Sequence, residues 1–216
     1  MTAGRDLSGR HLYLCTPDRP DLPAFVSACI AGGVDVVQLR EKELEARPLL
    51  DRARVVAEVC RAAGVPFVLN DRPDLALAAG ADGVHVGQDD APVWLARRIL
   101  GPDAIVGLST HGLDDLTGSA SEDVTYISAG PVEATPTKPG REGTGLEYVS
   151  LASARSTVPV FVTGGVTPEK IPTLAAHGIR HFVVVRHLTQ AADPQRAALA
   201  LRDAIDRALS TELPVA

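Results

Sequence analysis

The run Gln38-Leu39-Arg40-Glu41-Lys42 alternates, so that on an extended strand end Gln38, Arg40 and Lys42 point one way. A planar guanidinium beside a compact ammonium suits two neighbouring phosphates, the first by bidentate contact and the second as a point charge. Lysine usage sharpens this reading. The chain has 18 arginines and only three lysines, Lys42, Lys138 and Lys170. A sequence that writes nearly every cation as arginine keeps Lys42 and Lys138, which fall in loops after apolar runs, for geometry. Asn70-Asp71 and Gly87-Gln88-Asp89-Asp90 also follow short apolar runs. One or two carboxylates, completed by water and substrate phosphate, are how Mg²⁺ is usually held. Singly, Asp71 and Asp90 are equally suited to capping helices that begin near Pro73 and Pro92. With Arg40, Lys42 and Lys138 they point to a Mg²⁺-diphosphate site.

A second anion site is suggested by Gly164-Gly165, which follows an apolar strand and precedes Thr167-Pro168-Glu169, a helix start with a capping threonine and a first-turn proline. Glycine there lets bare backbone approach a phosphate. The segment 131–145 is long, rich in Gly, Pro and Thr, and basic at Lys138 and Arg141, which fits a loop that closes over an anion. Ser109-Thr110-His111 adds polar groups after another apolar run. The six histidines show no metal-ligand spacing, and His85, inside an apolar run, reads as a packed or hydrogen-bonded residue. The few aromatic residues are scattered, with no stacking platform for nucleic acid.

These groups need a scaffold that brings loop after loop to one place. β-Branched runs begin at His11, Val34, Pro66, Val84, Ala104, Val124, Val158 and His181, spaced 18 to 34 residues apart. Helical periodicity lies between them, as in Leu49, Leu50, Ala53, Val56, Ala57 and Cys60 on one face, and an Ala/Leu/Arg helix runs to Leu209. Gly32-Gly33, Gly64, Gly83 and Gly178 are expected to cap helices on their way back to the sheet. Eight βα units predict a closed (β/α)8 TIM barrel, one α/β domain over residues 1–216. An open doubly wound sheet shares the alternation. The barrel is favoured because polar residues concentrate where seven of the eight runs end, the place where barrel chemistry sits.

Composition agrees with an ordinary globular domain: 216 residues, 45% hydrophobic and 22% charged, with 21 basic and 27 acidic side chains for a net charge of -6. The acidic balance removes the non-specific attraction on which nucleic-acid and anionic-membrane binding depend, so a polyanion must meet a local basic cluster. No stretch approaches the ~18 apolar residues of a membrane span. Cys15, Cys29 and Cys60 fit neither a disulfide framework nor a CxxC site and are expected to be small buried hydrophobes in a reducing, cytoplasmic setting. The expected partners are small molecules, with neither nucleic acid nor membrane among them. Self-association into a homo-oligomer is left open.

Taken in series, QLREK at 38–42, ND at 70–71, ADGVHVGQDD at 81–90 and TPTK at 135–138 resemble the thiamine-phosphate synthases over nearly the whole chain. The resemblance implies a (β/α)8 barrel. It also implies a transferase joining hydroxymethylpyrimidine diphosphate to thiazole phosphate, with release of diphosphate. Residues 38–42 (Gln38, Leu39, Arg40, Glu41 and Lys42), Asn70, Ser109 and Lys138 would then meet the pyrimidine diphosphate, with Arg40, Lys42, Ser109 and Lys138 the catalytic contacts. Asp71 and Asp90 would bind Mg²⁺, and Thr135, Pro136, Thr137, Gly165, Val185 and Arg186 would hold the thiazole phosphate. The chain departs from the family pattern at two places: Glu133-Ala134 stand where an aromatic residue and a proline are usual, and Arg186 where a small serine is usual. A thiazole tautomerase or another phosphate-binding barrel enzyme is the alternative. The first needs no Mg²⁺-diphosphate site, and Asp71, Asp90 and Lys138 argue against it.

Overall fold

The computed structural model describes residues 6–134 and 142–210. Eight parallel strands close on themselves in sequence order: β1 (Leu12–Thr16), β2 (Val36–Leu39), β3 (Phe67–Asn70), β4 (Gly83–Val86), β5 (Ile105–Thr110), β6 (Tyr126–Ala129), β7 (Val160–Val162) and β8 (His181–Val184). Each of the eight β-branched runs supplies one strand. Helices α1 (Leu22–Ala31), α2 (Ala46–Ala63), α3 (Pro73–Ala79), α4 (Val93–Leu100), α5 (Leu113–Ser119), α6 (Gly145–Arg155) and α7 (Ile171–Ala176) are the crossovers. The short α8 (Arg186–Thr189) and the long α9 (Pro194–Ser210) follow β8. This is a (β/α)8 barrel, with β1 pairing to β8 as well as to β2.

Strand alternation divides the core in two. Leu12, Leu14, Val37, Leu39, Phe67, Leu69, Val84, Val106, Ile127, Val162, Phe182 and Val184 face the helices and join their apolar stripes in the larger cluster. The other phase fills the barrel, with Val36, Val68, Ile105, Tyr126 and Phe161 below. Further along five successive strands, in the same alternation phase, the inward face becomes polar: Gln38, Asn70, His85, Ser109 and Ser128, all buried. Period-two geometry thus converts one sequence phase into a hydrophobic plug with a polar floor above it.

Tyr13, Tyr126 and Phe161 come from β1, β6 and β7 yet meet edge to face, with centroids 5.3 and 5.2 Å apart for Tyr13–Phe161 and Tyr126–Phe161. Gly107 makes room for this packing, since a Cβ there would lie 2.1 Å from Tyr126 Cζ. The scattered aromatics of the sequence therefore converge inside the barrel. Two local expectations are corrected. Gly83 is not a helix cap but the first residue of β4, and Gly80, in the left-handed region, ends α3 instead. Helix α7 starts at Ile171, after a turn at Thr167–Lys170, not at Pro168.

At the opposite face, α9 packs on α1 and α7 and fastens the ring. Arg202 donates to Gly33 O at 2.8 Å and pairs with Asp35, whose carboxylate accepts the N–H groups of His11 and Leu12, each at 2.9 Å. One carboxylate therefore ties the last helix to the start of β1. Cys29 and Cys60 are fully buried, and burial pushes both thiols up to about 12, so they act as inert packing groups. Among the described residues no helix is long and apolar enough to cross a membrane.

Candidate active site

The strand ends open into a cleft of about 600 Å³ whose walls include Gln38, Arg40, Lys42, Asn70, Asp71, Asp90, Ser109, Gly165, Val185 and Arg186. Every second residue of the 38–42 run faces it, as alternation requires. Leu39 does not: the same alternation turns it outward into the helix-facing core, fully buried. Glu41 also turns away, its carboxylate accepting the backbone N–H groups of Asp18 at 3.3 Å and Glu43 at 2.8 Å. Thr135, Pro136, Thr137 and Lys138 lie outside the described residues, as does part of the 131–145 segment.

One end of the cleft is built by β2, β3 and β4. Lys42 Nζ lies 2.8 Å from Asp71 Oδ2, while the Arg40 guanidinium has no partner among the described residues and stands as an open cation. Asp71 has φ +62°, the one non-glycine residue in the left-handed region among those described. Aspartate tolerates that conformation better than most residues, though at a cost. The Asp71 N–H donates to His85 O at 2.8 Å, fixing the loop to β4. Asp90 is held from below by the Gly87 N–H at 2.8 Å. Neither aspartate caps the helix that follows it.

The two carboxylates face each other. Burial pushes Asp71 above the usual carboxylate range; Lys42 opposes the rise and Asp90 adds to it. Burial also raises Asp90, but hydrogen bonds from Asp71 and the Gly87 N–H outweigh it and hold Asp90 below its ordinary value. Two converging carboxylates, one of them reluctant to ionise, form a donor set that a hard divalent cation fits. Among the described residues no third His, Cys, Asp or Glu joins them. A cation there would complete its shell with water and ligand oxygens.

The floor is a chain of hydrogen bonds. Tyr13 Oη lies 2.8 Å from Tyr126 Oη, Tyr126 Oη 2.9 Å from His85 Nδ1, and His85 Nε2 2.9 Å from Ser109 Oγ. Burial raises both phenols, Tyr13 and Tyr126, well above their ordinary range, so both keep their protons. Tyr126 is the one acceptor the Tyr13 hydroxyl reaches among the described residues, and a buried donor left unmade costs about 1–3 kcal/mol. That orders the chain. Tyr13 donates to Tyr126, Tyr126 to His85 Nδ1, and His85 Nε2–H to Ser109. Ser128 Oγ also donates to Ser109, at 3.5 Å, so the Ser109 proton is directed into the cleft. Gln38 Nε2 donates to Asn70 Oδ1 at 2.7 Å and orients that amide pair beside it. Sequence reading placed His85 as a hydrogen-bonded barrel residue, which it is, but gave no signal of Tyr13 or Tyr126 beneath it.

The other end is built by β7 and β8. Gly164 and Gly165 have φ of +102° and +78°, and their N–H groups, with that of Val166, donate to no protein acceptor among the described residues. A Cβ on Gly164 would lie 2.5 Å from Val132 N, so glycine is required for close approach as well as for φ. Arg186 and His187 border the same end. Cations and carboxylates thus stand at one pole, open backbone donors and basic side chains at the other, with a neutral polar floor between.

Two such poles at the ends of the strands of a (β/α)8 barrel have the chemistry to receive anionic groups. Residues 12–188 match the thiamine monophosphate synthase family model. The chain is 44% identical over 215 residues to the thiamine-phosphate synthase of a Mycobacterium species, covering 94% of this chain and 95% of that one. It is 42% identical over 216 residues to the Mycobacterium tuberculosis thiamine-phosphate synthase, covering 94% and 97%. Its fold superposes on the thiamine phosphate pyrophosphorylase of Pyrococcus furiosus with a TM-score of 0.84 at 26% identity, over 96% of this chain and 98% of the other. The chain belongs to the thiamine monophosphate synthase family.

Proposed function

We propose that this protein joins hydroxymethylpyrimidine diphosphate to thiazole phosphate, forming thiamine phosphate and releasing diphosphate. The observation that supports the reading is the two-pole cleft: cations and carboxylates at one end, and a glycine turn with open N–H groups at the other. In this reading Arg40 and Lys42 bind the diphosphate, with Lys138 added by the family resemblance. Asp71 and Asp90 hold Mg²⁺, which when bound would supply positive charge against the diphosphate oxygens. Asn70, Gln38 and the outward Ser109 proton orient the pyrimidine. Gly165 and the backbone at Val185 and Arg186 receive the thiazole phosphate, with Thr135 and Thr137 assigned by resemblance alone.

The chemistry follows from placement. The methylene C–O bond breaks with its electron pair going to the departing diphosphate, and the electron-rich aminopyrimidine stabilises the cation left on carbon. Fixed charge from Arg40 and Lys42 stabilises the leaving group, a contribution that costs no reorganisation at the moment of reaction. The thiazole nitrogen then forms the new C–N bond with its lone pair, so the site needs positioning more than a general base. The architecture agrees, since the groups facing the cleft floor are neutral hydrogen-bonding groups. The test is a two-substrate assay with Mg²⁺ or with EDTA, following thiamine phosphate and diphosphate. Equimolar, Mg²⁺-dependent formation of both is expected; folded protein that makes neither overturns the proposal.

A further inference from the structure

Glu133 and Lys170 are 37 residues apart in sequence, and both Glu133 carboxylate oxygens lie 2.6 Å from Lys170 Nζ. The pair sits over the glycine pole. An ideal Cβ on Gly165 would be 2.7 Å from Glu133 Oε2 and 3.4 Å from Lys170 Nζ. Its position is set by the backbone on both sides. Val132 N–H donates to Thr163 O at 2.8 Å, which delivers Glu133 to the end of β7, and Lys170 N–H closes the turn onto Thr167 O at 3.1 Å, which brings the ammonium back over Gly165. Both side chains are about half exposed, so ordinary stabilisation by such a pair is small. The carboxylate instead stands beside the Gly165 turn and against an ammonium, surroundings in which a phosphate would be bound.

We propose that Lys170 is a phosphate ligand of this protein and that Glu133 holds its place: the thiazole phosphate displaces the Glu133 carboxylate and takes over its contacts with Lys170 and the Gly165 turn. The inference rests on the function proposed above. It goes beyond it by assigning Lys170 and Glu133, neither of which the sequence motifs supply. Phosphate outcompetes the carboxylate because it carries more charge and three acceptor oxygens, and its other contacts come from the open N–H groups. Glu133, released, stands in solvent at the rim. The ion pair thereby becomes a competitor whose removal changes affinity in one direction and whose cation, removed, changes it in the other.

The test is calorimetric binding of thiazole phosphate to the wild-type protein and to the Lys170→Gln and Glu133→Gln variants. The unphosphorylated thiazole alcohol is the control ligand, and KM for thiazole phosphate is measured in parallel. Lys170→Gln is expected to weaken thiazole-phosphate binding on the order of tenfold, the loss of one charge-assisted contact, with kcat nearly unchanged. Glu133→Gln is expected to tighten it several-fold, and the thiazole alcohol to distinguish none of the three proteins. Unchanged affinity in Lys170→Gln overturns the proposal. Weakening in both variants overturns it too, since that marks a structural clasp. Wild-type protein that forms no thiamine phosphate overturns the functional reading, whereas wild-type turnover with an indifferent Lys170→Gln overturns this inference alone.

Discussion

His85 Nε2 and Ser109 Oγ meet at 2.9 Å across the β4–β5 pair, and this contact is where the buried hydrogen-bond chain reaches the cleft. Ser109→Ala removes the outward proton but no core packing. It also leaves the buried His85 Nε2–H without its acceptor, so it is expected to lower kcat/KM by about 10- to 100-fold and to cost about 1–3 kcal/mol in urea unfolding. His85→Phe leaves both Tyr126 and Ser109 short of a partner and is expected to cost about 2–4 kcal/mol in urea unfolding as well as activity. Wild-type kcat/KM in Ser109→Ala would show that the proton meets nothing on the substrate.

Asp71 carries backbone strain and carboxylate repulsion together. Replacing it by glycine relieves both, so Asp71→Gly is expected to raise stability by about 1 kcal/mol, or roughly 2–4 °C in Tm, while lowering turnover on the order of 10²-fold or more. Asp90→Ala is expected to lower turnover similarly and to blunt the difference between Mg²⁺ and EDTA. A destabilised Asp71→Gly protein would mean that the Lys42 contact outweighs the strain.

Burial holds the His181 imidazole below its ordinary value; the Arg10 carbonyl that accepts from Nδ1 at 2.6 Å opposes this and the stacked His11 adds to it. With the folded value depressed, the unfolded chain takes up the proton first. The stabilisation is fully present above the unfolded value of about 6.5 and falls as pH drops through it toward the folded value. Melting temperature between pH 8 and pH 5 should therefore decline more steeply in the wild type than in His181→Gln. Parallel profiles would remove His181 from the pH response.

Asp35 accepts two backbone N–H groups and pairs with Arg202. Asp35→Ala strands all three and is expected to destabilise the protein by about 2–4 kcal/mol, some 5–10 °C in Tm, with little effect on KM because the carboxylate lies at the face opposite the cleft. Chemical denaturation and steady-state kinetics on one preparation separate the two effects.

The barrel was legible because its signals are periodic. Each apolar run supplies a strand, and alternation alone puts Gln38, Arg40 and Lys42 on the cleft. Applied to the neighbouring positions, it also turns the Leu39 side chain away from the cleft. Gly80 precedes β4 and Gly83 begins it, and only backbone geometry distinguishes the cap from the strand residue. The Tyr13–Tyr126–Phe161 cluster joins strands far apart in sequence, so nothing local announces it. The Glu133–Lys170 contact is hidden for the same reason, although Glu133 was conspicuous as a departure from the family pattern.

Ring closure gives this site a strict order of manufacture. Because β1 pairs with β2 and with β8, the earliest strand leaves the ribosome with one edge that stays bare until the latest strand arrives. The two poles mature at different times. The residues of the β2–β4 pole leave the ribosome first, whereas those of the glycine pole and the Arg202 fastening wait for the remainder. Until then a nascent chain carries Arg40, Lys42, Asp71 and Asp90 without the glycine turn that faces them across the cleft.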